Sequence, residues 1–148
     1  MEKEHIRKCL KFLGDALAAK GRSKDRSTQV GAIVLDSDYN LRTSGYNGFP
    51  RQVNDNVESR HERPIKYKYT AHAEENCVAN AARVGVSLKG CTLVVTSLHP
   101  CSTCARLIIN SGIRYVLAPL ESANARWNEE GELAAEMFSE AGVEVAFY

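Results

Sequence analysis

Residues 92–118 read TLVVTSLHPCSTCARLIINSGIRYVLA. A short β-branched run at Thr92–Thr96 is followed by helical spacing over Cys101–Ser111, then by Gly112 and a second apolar run at Tyr115–Ala118. This is a strand, a helix closed by a glycine cap, and a strand. The pattern extends in both directions. Ala73–Arg83 reads as a helix ended by Gly85. Asn128–Ala141 reads as another ended by Gly142, with Val143–Phe147 as a last strand. Such alternation predicts a sheet with parallel pairs and helices on its faces.

The N-terminal half opens differently. Ile6, Cys9, Leu10, Leu13 and Leu17 recur at helical spacing, which predicts one amphipathic helix over about residues 4–19. A polar loop from Lys20 to Gln29 carries Lys20, Arg22, Lys24 and Arg26. Val30–Leu35 suits a buried strand, Asp36–Asn40 is turn chemistry, and Leu41–Tyr46 returns as its hairpin partner. Residues 47–70 are rich in turn formers, charges and aromatics. A connection of that length inside a domain is usually functional or disordered.

The chain has 148 residues, 44% apolar and 25% charged. That composition fits one soluble globular domain spanning 1–148, with no repeat and no low-complexity segment. Nineteen basic and eighteen acidic side chains leave a formal charge of +1. A polynucleotide substrate is disfavoured, because binding a phosphate backbone calls for a basic excess. No apolar run approaches a membrane span, and the N-terminus has no signal-peptide core. Five cysteines, an odd count, fit a reducing compartment such as the cytoplasm (the host cytoplasm for a viral chain) and favour metal or catalytic use over disulfides. Cys9, Cys77 and Cys91 read as core residues, His5 and His61 as surface residues, and His99 as a rim residue.

Two segments carry chemistry: His72-Ala73-Glu74 and Pro100-Cys101-Ser102-Thr103-Cys104. Both fall at predicted helix starts. Cys101 and Cys104 share one helical face, and a helix N-terminus favours the thiolate a metal needs. His72 offers a third ligand. One imidazole and two thiolates leave one position of a tetrahedral zinc open, as catalytic rather than structural sites do. Glu74 reaches the metal without occupying it, so it can take a proton from water and pass it to a substrate. Alone, His72 reads as a core histidine and Glu74 as a first-turn acid. Together, in this order, they form the H-x-E and P-C-x-x-C pattern of zinc nucleobase deaminases.

At these residues the chain resembles the cytidine deaminase superfamily, and within it the deoxycytidylate (dCMP) deaminases. The resemblance runs from about Ser23 to Val143. It includes Ser27–Ala32, Gly45–Arg51, His72–Asn76 and Pro100–Ala105, and the Gly45–Pro50 and Arg63–His72 segments point to the dCMP branch. It implies an α/β/α sandwich around a mixed five-stranded sheet, and one zinc held by His72, Cys101 and Cys104 with Glu74 as proton shuttle. It further implies that the Ala73 N–H meets the C2 carbonyl of cytosine and that Asn47 bonds the sugar or base edge. Arg26, in a locally basic loop, is the candidate for the 5′-phosphate, since guanidinium binds phosphate bidentately. The reaction implied is hydrolysis of dCMP to dUMP and ammonia, supplying thymidylate synthesis. By the same resemblance, Gly45, Tyr46, Asn47 and Gly48 lie at an effector site for activating dCTP with Mg²⁺ and inhibiting dTTP, in a homo-hexamer. No clear Cys/His cluster marks the second zinc some relatives carry. Three other functions compete: a tRNA or single-stranded DNA base deaminase, which needs a basic track and stacking aromatics; a dCTP deaminase; and a non-catalytic zinc nucleotide sensor, which has no need of Glu74.

Overall fold

The computed structural model describes residues 1–122 and 128–148. Five strands form one sheet: β1 (Gly31–Leu35), β2 (Leu41–Tyr46), β3 (Thr92–Val95), β4 (Tyr115–Ala118) and β5 (Glu144–Phe147), in the order β2-β1-β3-β4-β5. β1 is antiparallel to both β2 and β3, whereas β3, β4 and β5 run parallel. The mixed sheet is therefore the hairpin and the strand–helix alternation joined side by side.

Alternation along each strand sorts the side chains into two layers. Ala32, Val34, Leu93, Val95, Val116 and Ala118 point to one face. There they meet α4 (Ala73–Val84), α5 (Ser102–Asn110) and α6 (Glu129–Ala141) through Cys77, Ala81, Ile108 and Phe138. Ile33, Leu35, Val94 and Leu117 point to the other face, against Cys9 and Ala16. Those two residues belong to α1 (Lys3–Leu10) and α2 (Leu13–Lys20). The three-layer α/β/α sandwich is as expected. With both faces covered, the inner strands are apolar runs rather than alternating ones.

The expected single helix over 4–19 is two helices. The Lys11 and Phe12 N–H groups bond back three residues, to Lys8 and Cys9, and tighten the turn between α1 and α2. That turn shifts the buried stripe of the second half to Ala16 and Ala19 and leaves Leu17 48% exposed. Small residues are required there. A Cβ on Gly31 would lie 2.1 Å from the Ala16 carbonyl oxygen, so α2 rests directly on the β1 backbone.

Gly85 and Gly142 close α4 and α6 in the left-handed conformation, and Gly112 follows α5 with φ 83°. Residues 47–70 are ordered by their own contacts. Phe49 stacks between His61 and Tyr69, at ring separations of 4.9 and 5.4 Å. The segment holds a 3₁₀ turn (Glu58–His61) and a short helix α3 (Lys66–Tyr69), and it returns to the body through the Gly48–Ala71 bridge. His61 and His5 are thus half-buried rather than at the surface. His5 projects from α1 toward the sheet, with its ring nitrogens 2.9 Å from Thr92 Oγ1 and 3.1 Å from the Tyr39 hydroxyl. Cys9, Cys77 and Cys91 are buried, as expected.

Candidate metal centre and cavity

The N-termini of α4 and α5 meet beside the end of β3. His72 is the N-cap of α4 and Cys101 the N-cap of α5, each in extended backbone just before its helix. Glu75 braces the first end by accepting a hydrogen bond from the His72 N–H at 2.6 Å. Glu130, from α6, braces the second by accepting from the Ser102 hydroxyl. Gly45 sets the height of α4 above the sheet. A Cβ there would come within 2.5 Å of the Ala73 carbonyl oxygen and 2.7 Å of the Cys77 nitrogen.

This scaffold brings the three expected ligands together. His72 Nδ1 lies 3.3 Å from Cys104 Sγ and 3.5 Å from Cys101 Sγ. All three donor atoms fall within 4.8 Å of one another. A tetrahedral zinc with ordinary bond lengths holds a nitrogen and a sulfur ligand about 3.6 Å apart. The donor set and its spacing fit zinc with three protein ligands, which leaves one position for water or substrate.

The electrostatics agree. A hydrogen bond from the Cys104 thiol, together with the Cys104 backbone N–H and His72, brings Cys101 down to about 3 against the effect of burial. Cys101 in turn pushes Cys104 up and raises His72 to about 9. The metal-free trio therefore retains protons on Cys104 and His72. Binding a cation displaces them, so metal affinity falls as pH falls.

Glu74, 5% exposed, lies in the same cavity. Burial raises its pKa, opposed by its own backbone N–H and by His72. Burial thus favours the protonated form, so the carboxyl can give a proton as well as take one, which general acid–base work requires. The cavity is about 260 Å³, with Asn47, Ala73, Glu74, His72 and Cys101 in its lining. The Ala73 N–H belongs to the first turn of α4, where backbone donors have no partner within the helix.

Two expectations change in detail, those for Arg26 and His99. Arg26 does not line this cavity: its guanidinium is exposed and forms a two-pronged pair with Glu58, beside a smaller neighbouring pocket. The cations that line the main cavity are Arg63 and Lys66. Asn47 lines the cavity as well, with its amide anchored by accepting from the Val30 N–H and donating to the Thr28 carbonyl, each at 2.8 Å, which leaves one N–H and one lone pair. His99 is a buried wall residue rather than a rim residue. It is 6% exposed, with Nδ1 2.9 Å from the Pro100 carbonyl and the ring stacked on Phe147.

Of the Gly45–Gly48 segment, Gly45 is a packing contact and Asn47 a cavity residue. Tyr46 and Gly48 line a separate shallow groove with Arg51, Asn76 and Asn80. Asp25, Arg63 and Lys66 were not legible as site residues. Asp25-Arg26-Ser27-Thr28 is a recognisable side-chain-to-backbone turn, but no spacing rule connects it to Lys66, 41 residues away.

Comparison with known proteins agrees with this geometry. The family described as "Cytidine and deoxycytidylate deaminase zinc-binding region" matches residues 6–119. An uncharacterized deaminase from the luxG 3′ region of Aliivibrio fischeri is 42% identical over 127 residues, covering 84% of this chain and 82% of that protein. Human deoxycytidylate deaminase is 35% identical over 137 residues, covering 89% and 74%. The crystal structure of dCMP deaminase from cyanophage S-TIM5 in complex with dCMP and dUMP superposes with a TM-score of 0.73 at 22% identity, covering 100% of this chain and 99% of that one. With three metal donors clustered beside the cavity that Glu74 lines and a family match across most of its length, the chain belongs to the cytidine and deoxycytidylate deaminase zinc-binding family.

Proposed function

We propose that this protein deaminates dCMP to dUMP and ammonia, and that it supplies dUMP for thymidylate synthesis. The observation that carries the reading is the buried Glu74 carboxyl in one cavity with an open three-ligand metal site. The deoxycytidylate deaminases among its relatives support the choice of nucleotide.

Zinc, when bound, makes water a nucleophile at neutral pH. Glu74 takes a proton from the attacking water and delivers it to ring N3, which makes C4 electrophilic. The same carboxyl then takes the proton of the new C4 hydroxyl and passes it to the departing amine, so C4 becomes a carbonyl, one water is consumed and one ammonia is released. The Ala73 N–H donates to the C2 carbonyl and fixes the ring. Asn47, through its bonds to Val30 and Thr28, holds the wall beside the sugar. The buried surroundings exclude bulk water, which strengthens each of these contacts.

The proposal extends to regulation and setting. Activation by dCTP with Mg²⁺ and inhibition by dTTP would act through Tyr46 and Gly48, whose groove contains Arg51. A homo-hexamer would carry it. The free thiols of Cys101 and Cys104 suit the cytoplasm, or a host cytoplasm for a viral chain.

Ammonia release by zinc-loaded protein from dCMP, dCTP, deoxycytidine and a tRNA, with and without dCTP/Mg²⁺ or dTTP, tests these readings. Turnover of dCMP that rises with dCTP is expected. Turnover of dCTP or tRNA in preference to dCMP overturns the substrate, and zinc binding without any turnover moves the protein to a sensor.

A further inference from the structure

The cavity that His72 and Cys101 line is also walled by a buried ion pair that the proposed chemistry does not use. Asp25 Oδ1 accepts from the backbone N–H groups of Ser27 and Thr28, both at 2.9 Å, and from the Ser27 hydroxyl at 3.1 Å. It also accepts from Lys66 Nζ at 3.0 Å, and the Lys66 and Asp25 side chains are only 13% and 8% exposed. Lys66 Nζ donates a second hydrogen bond, to the Ser27 hydroxyl at 2.7 Å. An ammonium has three donors, so one remains for the cavity that Lys66 lines.

Charge points the same way. Asp25 neutralises Lys66. Arg63, which lines the same wall, has no carboxylate partner among the described residues and lies over the Tyr67 ring at 5.8 Å. That wall therefore offers two cationic donors, the remaining Lys66 N–H and the Arg63 guanidinium, to a singly esterified phosphate, which carries about −1.5 to −2 near neutral pH.

We propose that Lys66 and Arg63 determine specificity for a substrate bearing a single 5′-phosphate, and that Asp25 is the positioning residue that aims Lys66. This rests on the pyrimidine-deaminase reading above and deepens it. Asp25 fixes the direction of the ammonium and, through Thr28 and Asn47, the 23–30 loop. Phosphate then meets a preformed donor rather than a mobile chain.

The test compares dCMP with deoxycytidine on zinc-loaded wild type, Lys66→Met, Asp25→Asn and Arg63→Gln. For dCMP, kcat/KM is expected to fall about 10- to 100-fold in Lys66→Met, as the loss of a charge-assisted hydrogen bond implies. It should fall less in Asp25→Asn and Arg63→Gln, with most of each loss in KM. For deoxycytidine, Lys66→Met and Arg63→Gln should stay within about threefold of wild type. Parallel losses for both substrates, or no loss for dCMP, overturn the proposal. Arg63 is exposed, so Arg63→Gln keeps the test open if a buried-pair variant fails to fold. Calorimetric titration with dUMP and deoxyuridine reads the same preference without turnover. If wild type deaminates neither substrate, the function falls while this wall is still judged: selective loss of dUMP affinity in Arg63→Gln and Lys66→Met sustains it, and equal loss for the nucleoside ends it.

Discussion

At the metal end of the cavity, each working group sits on the first turn of a helix or caps it. His72, Ala73 and Glu74 open α4, and Cys101 and Cys104 open α5. At its cationic wall, Asp25, Thr28, Asn47, Arg63 and Lys66 come from a loop, the residue after β2, the 47–70 segment and the start of α3, and all but Arg63 are tied by hydrogen bonds that span up to 41 residues. The first region is local in sequence and rigid because helix ends on a sheet are rigid. The second is assembled only by folding. Chemistry needs the precision of the first, whereas substrate choice can be rebuilt in the second without disturbing the reaction.

Substitutions should separate the two ends. The largest effect is expected from Cys101→Ser, which should lose zinc and turnover together. Metal analysis beside an ammonia assay reads both, and stoichiometric zinc in an active variant would remove Cys101 from the ligand set. Glu74→Gln should keep its zinc and slow turnover by about 10²- to 10⁴-fold, the range for a lost general acid–base group. Full activity in that variant would refute the shuttle role. Gly45→Ala drives a methyl into the α4 backbone and should cost about 1–3 kcal/mol in a denaturant titration. Activity should fall with it, because α4 carries His72 and Glu74.

The cationic wall predicts a pH signature. Burial alone would raise the Asp25 carboxyl. The Thr28 and Ser27 N–H groups and Lys66 outweigh it and bring the group from 3.8 to about 2. A folded value below the unfolded one adds stability above about pH 4 that disappears as pH falls through about 2. The shift corresponds to about 2 kcal/mol. Denaturation of wild type and Asp25→Asn at falling pH should therefore converge, and a gap that widens toward acid would contradict the assignment. The smallest effect belongs to Arg26→Ala. Its pair with Glu58 is at the surface, where such pairs contribute little, and KM for dCMP should change less than about twofold. A large rise would return Arg26 to the phosphate site.

This contrast explains what could be read before folding. The glycine caps at Gly85, Gly112 and Gly142, the hairpin around Asp36–Asn40 and the His72, Glu74, Cys101 and Cys104 constellation all follow rules spanning a few residues. They stand in the structure where those rules put them. The break between α1 and α2 was hidden, because it depends on α2 resting on the Gly31 backbone rather than on helical periodicity. Arg26 attracted attention as the arginine in a basic loop, but charge along the chain does not reveal which cation folding neutralises. Glu58 takes Arg26, and Asp25 takes Lys66. His99 and His61 misled for a similar reason: stacking on Phe147 and Phe49 buries rings that composition assigns to the surface.

The five thiols also set how this protein ages in air. Burial pushes Cys9, Cys77 and Cys91 up and keeps them protonated, and the Cys77 thiol points to the Ala32 carbonyl inside the core. Such sulfurs react slowly with peroxide. Cys101 is half-exposed and held as thiolate by its neighbours, so oxidative damage begins at a metal ligand. Zinc shields the residue it depends on. A preparation stripped by chelator should inactivate in peroxide far sooner than a loaded one, and recover with a thiol reductant while the sulfur has gone no further than sulfenic acid or a disulfide.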